Sequence, residues 1–503
     1  MFDIVNFINS DKILLVAPAG YGKTHIISEC INFTPDNETQ LILTHTHAGI
    51  ASIKQKLKKL NVPSCKFHVE TIMGFVQKYV LAYFIGTVPE IDDREVDYYD
   101  FILNEGIKLF GLKSVQKVVS ISYQGLFVDE YQDCTIAQHK LIMQLSKLFP
   151  TRILGDPLQG IMNFNGDLVD FENDLDDFTI APELNTPHRW FTNDNNRELG
   201  ITLKDIRKTL LKEDQIVIKL SGYEHKILYY INVKDGDIYD PSSNYRKGLN
   251  KLISNPDNKE EFESLLILMP EYTEDGRKRG NVRERAKLKE RIDYSKKLSL
   301  IEAIDDKTFY SLAKKIDFLV ESIQRSKKKT KKIKLEIIDP IFNKTQITKW
   351  FSSRTDELTK KTANSAEAEQ SQCLQNKIDE FIETPSVSNV LELILFLKNE
   401  MKFKSKRQEV LGSLIQAMKT AIIEEVSVYE GMISHRNIIR KVGRKVIGKC
   451  IGTTSLTKGL EFDTVAIMDA HKFDCPKHLY VALTRASKKL IIFSQSEQIT
   501  FNQ

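Results

Sequence analysis

The sequence predicts an α/β protein with two parallel sheets, each flanked by helices, and a mostly helical insertion. Three observations lead to this prediction. Short apolar runs alternate with longer stretches of helical spacing, which is the pattern of a parallel sheet covered by helices. The runs form two sets, one before residue 183 and one after it. A segment rich in Lys, Glu and Gln and poor in Gly interrupts the second set.

The first set begins at residues 12–18 (KILLVAP), a short apolar run bounded by a Gly-containing turn. Residues 24–31 then have helical spacing, which gives a strand, a loop and a helix. Three more short runs follow the same pattern, at residues 41–44, 125–128 and 152–154. We therefore predict a first domain over residues 1–182, with a small helical insertion near residues 76–120.

The second set contains five strand-like runs, at residues 216–219, 226–233, 265–269, 464–468 and 490–493. Helix formers dominate the segment between the third run and the fourth, which predicts a helical subdomain over residues 301–440. The second domain is then split into residues 183–300 and 441–503. Within the insertion, residues 364–375 (NSAEAEQSQCLQ) are polar and are predicted to form a flexible connection.

The composition is that of a cytoplasmic globular protein. A length of 503 residues suggests about three or four structural units. The hydrophobic fraction of 41% and the charged fraction of 28% exclude a disordered chain. No run reaches the roughly 20 apolar residues of a membrane helix, and the first residues lack the pattern of a signal peptide. Six widely spaced cysteines without a CxxC pair argue against a zinc module or a disulfide framework.

Clusters of charged residues indicate possible partners better than the net charge does. The net charge of +4 is close to neutral for this length, so it does not by itself indicate a polyanionic partner. The densest basic segments are residues 277–291 (RKRGNVRERAKLKER) and 325–334 (RSKKKTKKIK). A charge run is usually a solvated face, and for the second segment a contact with nucleic acid or with a protein is the alternative.

Residues 17–24 (APAGYGKT) match a P-loop in which Ala replaces the first Gly. A P-loop offers backbone N–H groups to phosphate oxygens at the positive end of a helix. The predicted cradle consists of Ala19, Gly20, Tyr21 and Gly22. Lys23 would neutralise the β- and γ-phosphates of ATP, and the hydroxyl of Thr24 would bind Mg²⁺. The alternative, a Gly-rich turn without a ligand, is disfavoured by the strand before it and the helix after it.

An acidic pair follows a second apolar strand, in residues 126–133 (LFVDEYQD). A P-loop fold keeps its metal-binding carboxylate and its water-orienting residue at this place. Asp129 would then hold Mg²⁺ and Glu130 would orient the attacking water. Acidic pairs after strands are common, but together with the P-loop this one predicts ATP hydrolysis.

The identity and order of the motifs resemble the UvrD/Rep family of superfamily 1 helicases. The family's DExQD signature is present as DEYQD at residues 129–133. Four later motifs also match: residues 155–161 (GDPLQGI), 185–189 (NTPHR), 453–462 (TTSLTKGLEF) and 480–486 (YVALTRA). The resemblance covers residues 1 to about 300 and 440 to 497, and it implies two RecA-like domains that share one ATP site.

The resemblance also implies roles for residues around the nucleotide. Gln159 would sense the γ-phosphate and couple it to nucleic acid. Arg189 and Arg485 would contact the γ-phosphate from the second domain, with Arg485 as an arginine finger. The remaining contacts would come from His188 on adenine, Gly459 near phosphate and Glu461 at the ribose. Taken singly, each arginine has the alternative of a surface ion pair.

Candidate contacts to single-stranded DNA come from the same resemblance. Thr46 and His47, in residues 44–49 (THTHAG), would meet the phosphate backbone. Thr71 begins the next family element, and Phe164 stands where an aromatic ring stacks on a base. The alternatives are a capping or core role for His47 and a core position for Phe164. The family implies movement in the 3′ to 5′ direction.

Residues 443–463 and the chain length are similar to the compact helicase-like subunits that accompany OLD-type nucleases in Gabija-type antiphage defence systems. That similarity implies a nuclease partner and an ATPase that senses DNA ends with little unwinding. A P-loop kinase or transferase acting on a small molecule is a further alternative, which the two-part motif set disfavours. The function predicted first is ATP-dependent translocation on single-stranded DNA.

Overall fold

The computed structural model describes residues 2–90, 97–161, 167–191, 196–211, 216–222, 228–233, 238, 240, 242–254, 264–274, 277–293, 297–302, 306–362, 366–442 and 448–501. The chain divides into two compact units. The larger unit comprises Met1–Ile301 and Val442–Gln503 and contains both sheets, and the smaller unit is Glu302–Lys441. Within the described residues, every helix is too short or too polar to span a bilayer.

The first domain is built on a six-stranded parallel sheet. Its strands are β1 (Lys12–Val16), β2 (Gln40–Thr44), β3 (Phe67–Thr71), β4 (Gly125–Val128), β5 (Thr151–Gly155) and β6 (Thr179–Ile180). They lie in the order β3-β2-β4-β5-β1-β6, and every pair is parallel. The four strands predicted from apolar runs are confirmed. Strands β2, β4 and β5 are buried along their whole length, which explains why they are continuous apolar runs without alternation.

Helices cover both faces of this sheet. They are α1 (Ile4–Asn9), α2 (Lys23–Phe33), α3 (His47–Lys59), α4 (Ile72–Tyr83), α5 (Tyr98–Phe110), α6 (Lys113–Ser122) and α7 (Ile136–Leu145). One face is packed by α2 and α3, for example through Ile27 and Ile53. The other is packed by α4, α5 and α7, for example through Phe75, Ile102 and Leu141.

The second domain also has a six-stranded parallel sheet. The strands after residue 200 are β7 (Ile216–Lys219), β8 (Leu228–Asn232), β9 (Leu265–Met269), β10 (Thr273–Glu274), β11 (Arg277–Lys278), β12 (Leu298–Leu300), β13 (Lys449–Thr453), β14 (Phe462–Ile467), β15 (Ala486–Ser494) and β16 (Gln498–Phe501). The parallel sheet has the order β12-β13-β9-β14-β15-β8. Both sheets match RecA-like domains, so the predicted fold class is confirmed.

One predicted strand lies outside this sheet. Strand β7 pairs antiparallel with β16 in a separate two-stranded ribbon, so its assignment to the parallel set was wrong. Its burial alternates along the chain, as expected for a ribbon with one solvated face. Helices α8 (His188–Phe191), α9 (Arg197–Leu210), α10 (Asn244–Ser254) and α11 (Val282–Ile292) accompany this domain.

The smaller unit is helical. It contains α12 (Thr308–Ser322), α13 (Lys329–Ile333), α14 (Asp339–Ile341), α15 (Lys344–Trp350), α16 (Ala366–Glu383), α17 (Val387–Asn399), α18 (Gln408–Glu424) and α19 (Val428–Val442). Residues 364–375 were predicted as a flexible connection. Residues 364 and 365 lie outside the described residues, but 366–375 form the first half of α16. Ala, Glu and Gln are strong helix formers, and Leu374, Ile378 and Phe381 bury one face of this helix. Two helices return to the second domain, α20 (Thr454–Thr457) and α21 (Pro476–Leu483).

Candidate functional site: a cleft between two sheets

The P-loop joins the carboxyl end of β1 to the first turn of α2. Gly20 and Gly22 have φ angles of 78° and 93°, in the left-handed region that favours glycine. A side-chain carbon on Gly20 would lie 2.7 Å from the ring of Trp190. Gly20 is therefore required both by its backbone conformation and by the close approach of α8.

The functional side chains of this loop are held close to it. Lys23 is buried, and its Nζ donates a hydrogen bond of 2.8 Å to the carbonyl of Ala17. Ala19 and Tyr21 are buried as well, whereas Thr24, in the first turn of α2, is only partly buried. The predicted phosphate cradle thus has the strand, loop and helix context that a P-loop needs.

The acidic pair follows β4, two strands away from β1 in the sheet. Because both strands are parallel, the P-loop and the pair lie at the same edge. Burial and the charge of Glu130 raise the pKa of Asp129 to about 7. Burial alone would raise the pKa of Glu130 too, but the charges of Lys23 and Lys458 and the amide of Gln132 hold it below its usual range. Glu130 has φ 58°, a left-handed conformation that is rare for a residue with a side chain.

A chain of hydrogen bonds runs from Glu130 to Gln159. The side-chain NH₂ of Gln132 donates a hydrogen bond to the carboxylate of Glu130. The side-chain oxygen of Gln132 accepts a 2.8 Å hydrogen bond from the backbone N–H of Asp156. Asp156 then accepts the amide of Gln159 at 2.8 Å. These residues are buried or partly buried, so a change at Gln159 reaches Glu130 through buried polar contacts.

Two cationic side chains of the second domain contact this hydrogen-bonded network. Arg485 is buried, and it donates 3.2 Å hydrogen bonds to the side chain of Gln159 and to the carbonyl of Leu460. Burial and the nearby charge of Arg189 lower the pKa of Arg485 to about 10. Lys458 donates to Asp133 at 2.5 Å and to the carbonyl of Gln159. The structure therefore brings the predicted Gln159 and Arg485 into direct contact.

A third cation from the second domain, Arg207 of α9, binds the same network. Its guanidinium lies 2.6 Å from the carboxylate of Asp156, which is fully buried, and 3.3 Å from the hydroxyl of Tyr480. Asp156 thus links Gln132 and Gln159 of the first domain to α9 and α21 of the second.

The predicted fourth motif lies directly against the P-loop. The N–H of Arg189 donates to the carbonyl of Gly20 at 3.0 Å, and a side-chain carbon on Gly22 would lie 3.4 Å from the His188 ring. The guanidinium of Arg189 donates to the carbonyl of Thr484 and to Glu461. Arg189 lowers the pKa of Glu461. The structure therefore brings His188 and Arg189 to the phosphate loop and Glu461 to Arg189.

The nucleic-acid candidates are only partly brought together. The hydroxyl of Thr46 caps α3 by accepting the N–H of Gly49, and a side-chain carbon on Gly459 would lie 3.5 Å from it. His47 begins α3 beside it. The hydroxyl of Thr71 caps α4 in the same way as Thr46 caps α3. Phe164 lies outside the described residues.

Sequence reasoning missed four residues of this site. Asp156 and Lys458 stood inside quoted motifs without an assigned role, and only the structure shows that both are buried. Arg207 had no sequence signal, since one arginine in an amphipathic helix is usually solvated. Burial lowers the pKa of the Lys56 ammonium group on α3, and the negative charges of Glu461 and Asp129 act in the opposite direction.

Two family models match the sequence. One is described as an AAA domain and matches residues 3–165, and the other is described as the viral superfamily 1 RNA helicase core domain and matches residues 344–494. The first segment contains the P-loop and the acidic pair. The second contains Lys458 and Arg485. No curated protein sequence shows significant similarity to the chain.

Several solved structures are similar in fold at low identity. The Pif1 helicase from Candida albicans is 10% identical, with a TM-score of 0.39 over 98% of this chain and 94% of that one. The Bacteroides Pif1 helicase in complex with ADP-AlF₃ and single-stranded DNA is 12% identical, with a TM-score of 0.36 over 97% and 90%. The arterivirus nonstructural protein 10 helicase in complex with DNA is 14% identical, with a TM-score of 0.26 over 52% and 48%.

The two matched models include the P-loop, the acidic pair and the segments that carry Lys458 and Arg485, on two RecA-like domains. The chain is therefore similar to AAA domains over residues 3–165 and to the core domain of viral superfamily 1 RNA helicases over residues 344–494.

Proposed function

We propose that the chain is an ATP-driven motor that moves on single-stranded DNA by opening and closing its two RecA-like domains. The observation that carries the proposal is the contact between Gln159 and Arg485, which joins the two domains at 3.2 Å. Through Asp156 and Gln132 this contact continues to Glu130. A connection of this kind lets the state of the hydrolysis site set the distance between the domains.

In this proposal the phosphates of ATP are clamped from both sides. The P-loop backbone, the positive end of α2 and Lys23 hold them from the first domain. Arg189 and Arg485 supply positive charge from the second, which is the main protein contribution to phosphoryl transfer. His188 stacks on adenine, and Gly459 and Glu461 contact phosphate and ribose. Lys56 adds a cation to this side of the cleft.

The residues at this edge fit Mg²⁺. Among the described residues, the Asp129 carboxylate accepts one hydrogen bond, from the N–H of Glu130, and it is buried. A divalent cation would favour the ionised form of Asp129, which burial and the charge of Glu130 disfavour. The Thr24 hydroxyl would be a second oxygen ligand, and phosphate oxygens and waters would fill the remaining positions. No group of three His, Cys, Asp or Glu side chains in the described part of the chain is suited to hold a metal alone. When bound, the ion neutralises phosphate charge.

Hydrolysis is coupled to movement through the γ-phosphate, which side chains of both domains contact. Glu130 is held ionised and orients the attacking water. When the γ-phosphate leaves, Lys23, Arg189 and Arg485 lose the anion that drew them together, and the domains separate. Strand contacts at Thr46, His47, Thr71 and Phe164 then change with the distance between the domains.

We expect single-stranded DNA to stimulate steady-state ATP hydrolysis by about five-fold or more, the usual lower range of coupling between two sites. The reason is that strand and nucleotide bind to the same pair of domains. The measurement is phosphate release at fixed low salt with and without an oligonucleotide, because phosphate contacts weaken with salt. Hydrolysis that responds to neither DNA nor RNA, together with phosphate transfer to a small acceptor, would show a kinase or transferase instead.

The finer features of the motor stay predictions. The UvrD/Rep resemblance implies DNA as the track and 3′ to 5′ polarity, which strand displacement from duplexes with a 3′ or a 5′ tail will test. The alternative is an ATPase that senses DNA ends and regulates an OLD-type nuclease. It predicts stimulated hydrolysis with little unwinding of either tailed duplex.

Arg207 is expected to position the site without touching the nucleotide. Arg207→Met removes the cation from buried Asp156, which should displace Gln159 and lower kcat by about tenfold or more while KM changes little. Arg207→Lys should restore part of kcat, because it keeps the charge but loses the fork geometry. Steady-state kinetics of both variants check this. A change in KM alone, or no rescue by lysine, would contradict the positioning role.

A further inference from the structure

The smaller unit carries a dense surface of lysines that the ATP site does not use. Residues 325–334 contain seven Lys or Arg side chains and no acidic one. In the structure they form the turn after α12 and the short helix α13. Thr330 and Ile333 are buried and anchor this segment, whereas Lys327 and Lys328 are exposed and Lys329, Lys331 and Lys332 are partly exposed.

These lysines are poorly neutralised by the protein itself. In the described part of the unit, Lys334 is the member of this segment that forms an ion pair, with Asp339 at 3.1 Å. The neighbouring Glu336 is paired with Lys315 at 2.9 Å, and Asp356 accepts the backbone N–H of Lys331 at 2.6 Å. Within the described residues, the side chains of Lys327, Lys328, Lys329 and Lys331 thus have no ion-pair partner, and Lys327 and Lys328 are exposed to solvent.

An exposed aromatic ring lies beside the lysines. Phe318, on α12, has 61% of its surface exposed. The ammonium of Lys332 lies 4.9 Å from the centre of this ring and donates a 2.7 Å hydrogen bond to the hydroxyl of Ser322. The Lys332 ammonium therefore lies over the Phe318 ring, while much of the ring remains open to solvent.

A ring next to a row of lysines matches the chemistry of a single strand of nucleic acid. Proteins that bind such strands without sequence preference combine cations along the backbone with aromatic rings on which bases stack. Lysine is a flexible point charge that suits phosphates of any sequence, and six of the seven cations here are lysines. An acidic protein would use the charge but would have no need of an open ring.

We propose that Phe318 with Lys327, Lys328, Lys329 and Lys331 forms a second contact surface for single-stranded nucleic acid, in which the lysines bind phosphates and the ring stacks on a base. This inference rests on the proposed motor function, and it adds to the contacts proposed there for the two RecA-like domains. The surface holds the strand independently of the nucleotide state, because none of its residues belongs to the ATP site.

The test is the salt dependence of binding to oligothymidylate, measured with the full chain by fluorescence anisotropy. Removing one cation that binds a phosphate reduces the slope of log K against log salt by about 0.7 for a single strand. A variant with Lys→Gln at 327, 328, 329 and 331 is therefore expected to reduce the slope by up to about 3. Phe318→Leu should raise Kd by about five-fold without changing the slope.

A matched control distinguishes an effect of this surface from an effect of lower total charge. Four exposed lysines elsewhere in the same unit, Lys307, Lys360, Lys398 and Lys419, are changed to Gln together, which removes the same charge. Equal slopes for this control and the 327/328/329/331 variant overturn the surface, even if DNA stimulates hydrolysis as proposed. A slope that falls only in the 327/328/329/331 variant supports the surface, even if DNA leaves hydrolysis unchanged and the motor proposal fails. Wild-type binding that does not vary with salt overturns the surface directly.

Discussion

Glu130→Gln is expected to lower ATP turnover by about 10³-fold and to leave nucleotide affinity close to that of the wild type. The amide keeps the shape of the side chain but cannot accept a proton from water. Nearby Lys23 and Lys458 hold the wild-type carboxylate ionised, so the substitution removes a charge that is present at neutral pH. Steady-state kcat and equilibrium binding of a fluorescent ATP analogue measure the two quantities separately.

The contrast with Lys23→Ala makes this prediction specific. Lys23 lies on the P-loop itself, so its removal is expected to weaken nucleotide binding as well as turnover. Asp174→Asn, at a carboxylate on a surface turn of the same domain, is a matched control that should change neither quantity. Full turnover in Glu130→Gln would show that another group orients the water, and the assignment of the acidic pair would be wrong.

The parts of the fold predicted from sequence were those with strong local patterns. Strands β1, β2, β4 and β5 are short, buried and apolar, so each stood out as a run. Strand β13 did not, because Lys449, Gly452 and Thr453 interrupt its apolar character, although its middle is buried in the sheet. The pairing of β7 with β16 could not be predicted from a local pattern either, because β16 lies more than 270 residues later in the chain.

The candidate site divides along a similar line. Residues of short motifs, such as the P-loop and the acidic pair with Glu130, could be assigned candidate roles because the spacing of each motif indicates its chemistry. Asp156 and Arg207 were not assigned, because their importance comes from a contact between two domains that no spacing records. The roles implied for His188, Arg189 and Glu461 stay predictions, although the structure brings all three to the cleft.

The ion pair of Lys458 and Asp133 leads to the second large expected effect. The two side chains are almost fully buried, come from different domains and approach to 2.5 Å. Lys458→Met would leave the carboxyl without its cation, and breaking a buried pair on one side usually lowers the free energy of unfolding by about 3–5 kcal/mol. Urea unfolding of the wild type and the variant measures this difference.

The destabilisation should also depend on pH. Burial raises the pKa of Asp133 to about 6 even though Lys458 lowers it, so without Lys458 it will be higher still. Between pH 6 and that new value the folded variant retains a proton that the unfolded chain has released, and its stability falls by about 1.4 kcal/mol per pH unit relative to the wild type. Lys458→Met with Asp133→Asn should be more stable than the single variant and should lack this pH dependence. A destabilisation that is constant above pH 6, or a double variant no more stable than the single one, would show that the buried charge is not its cause.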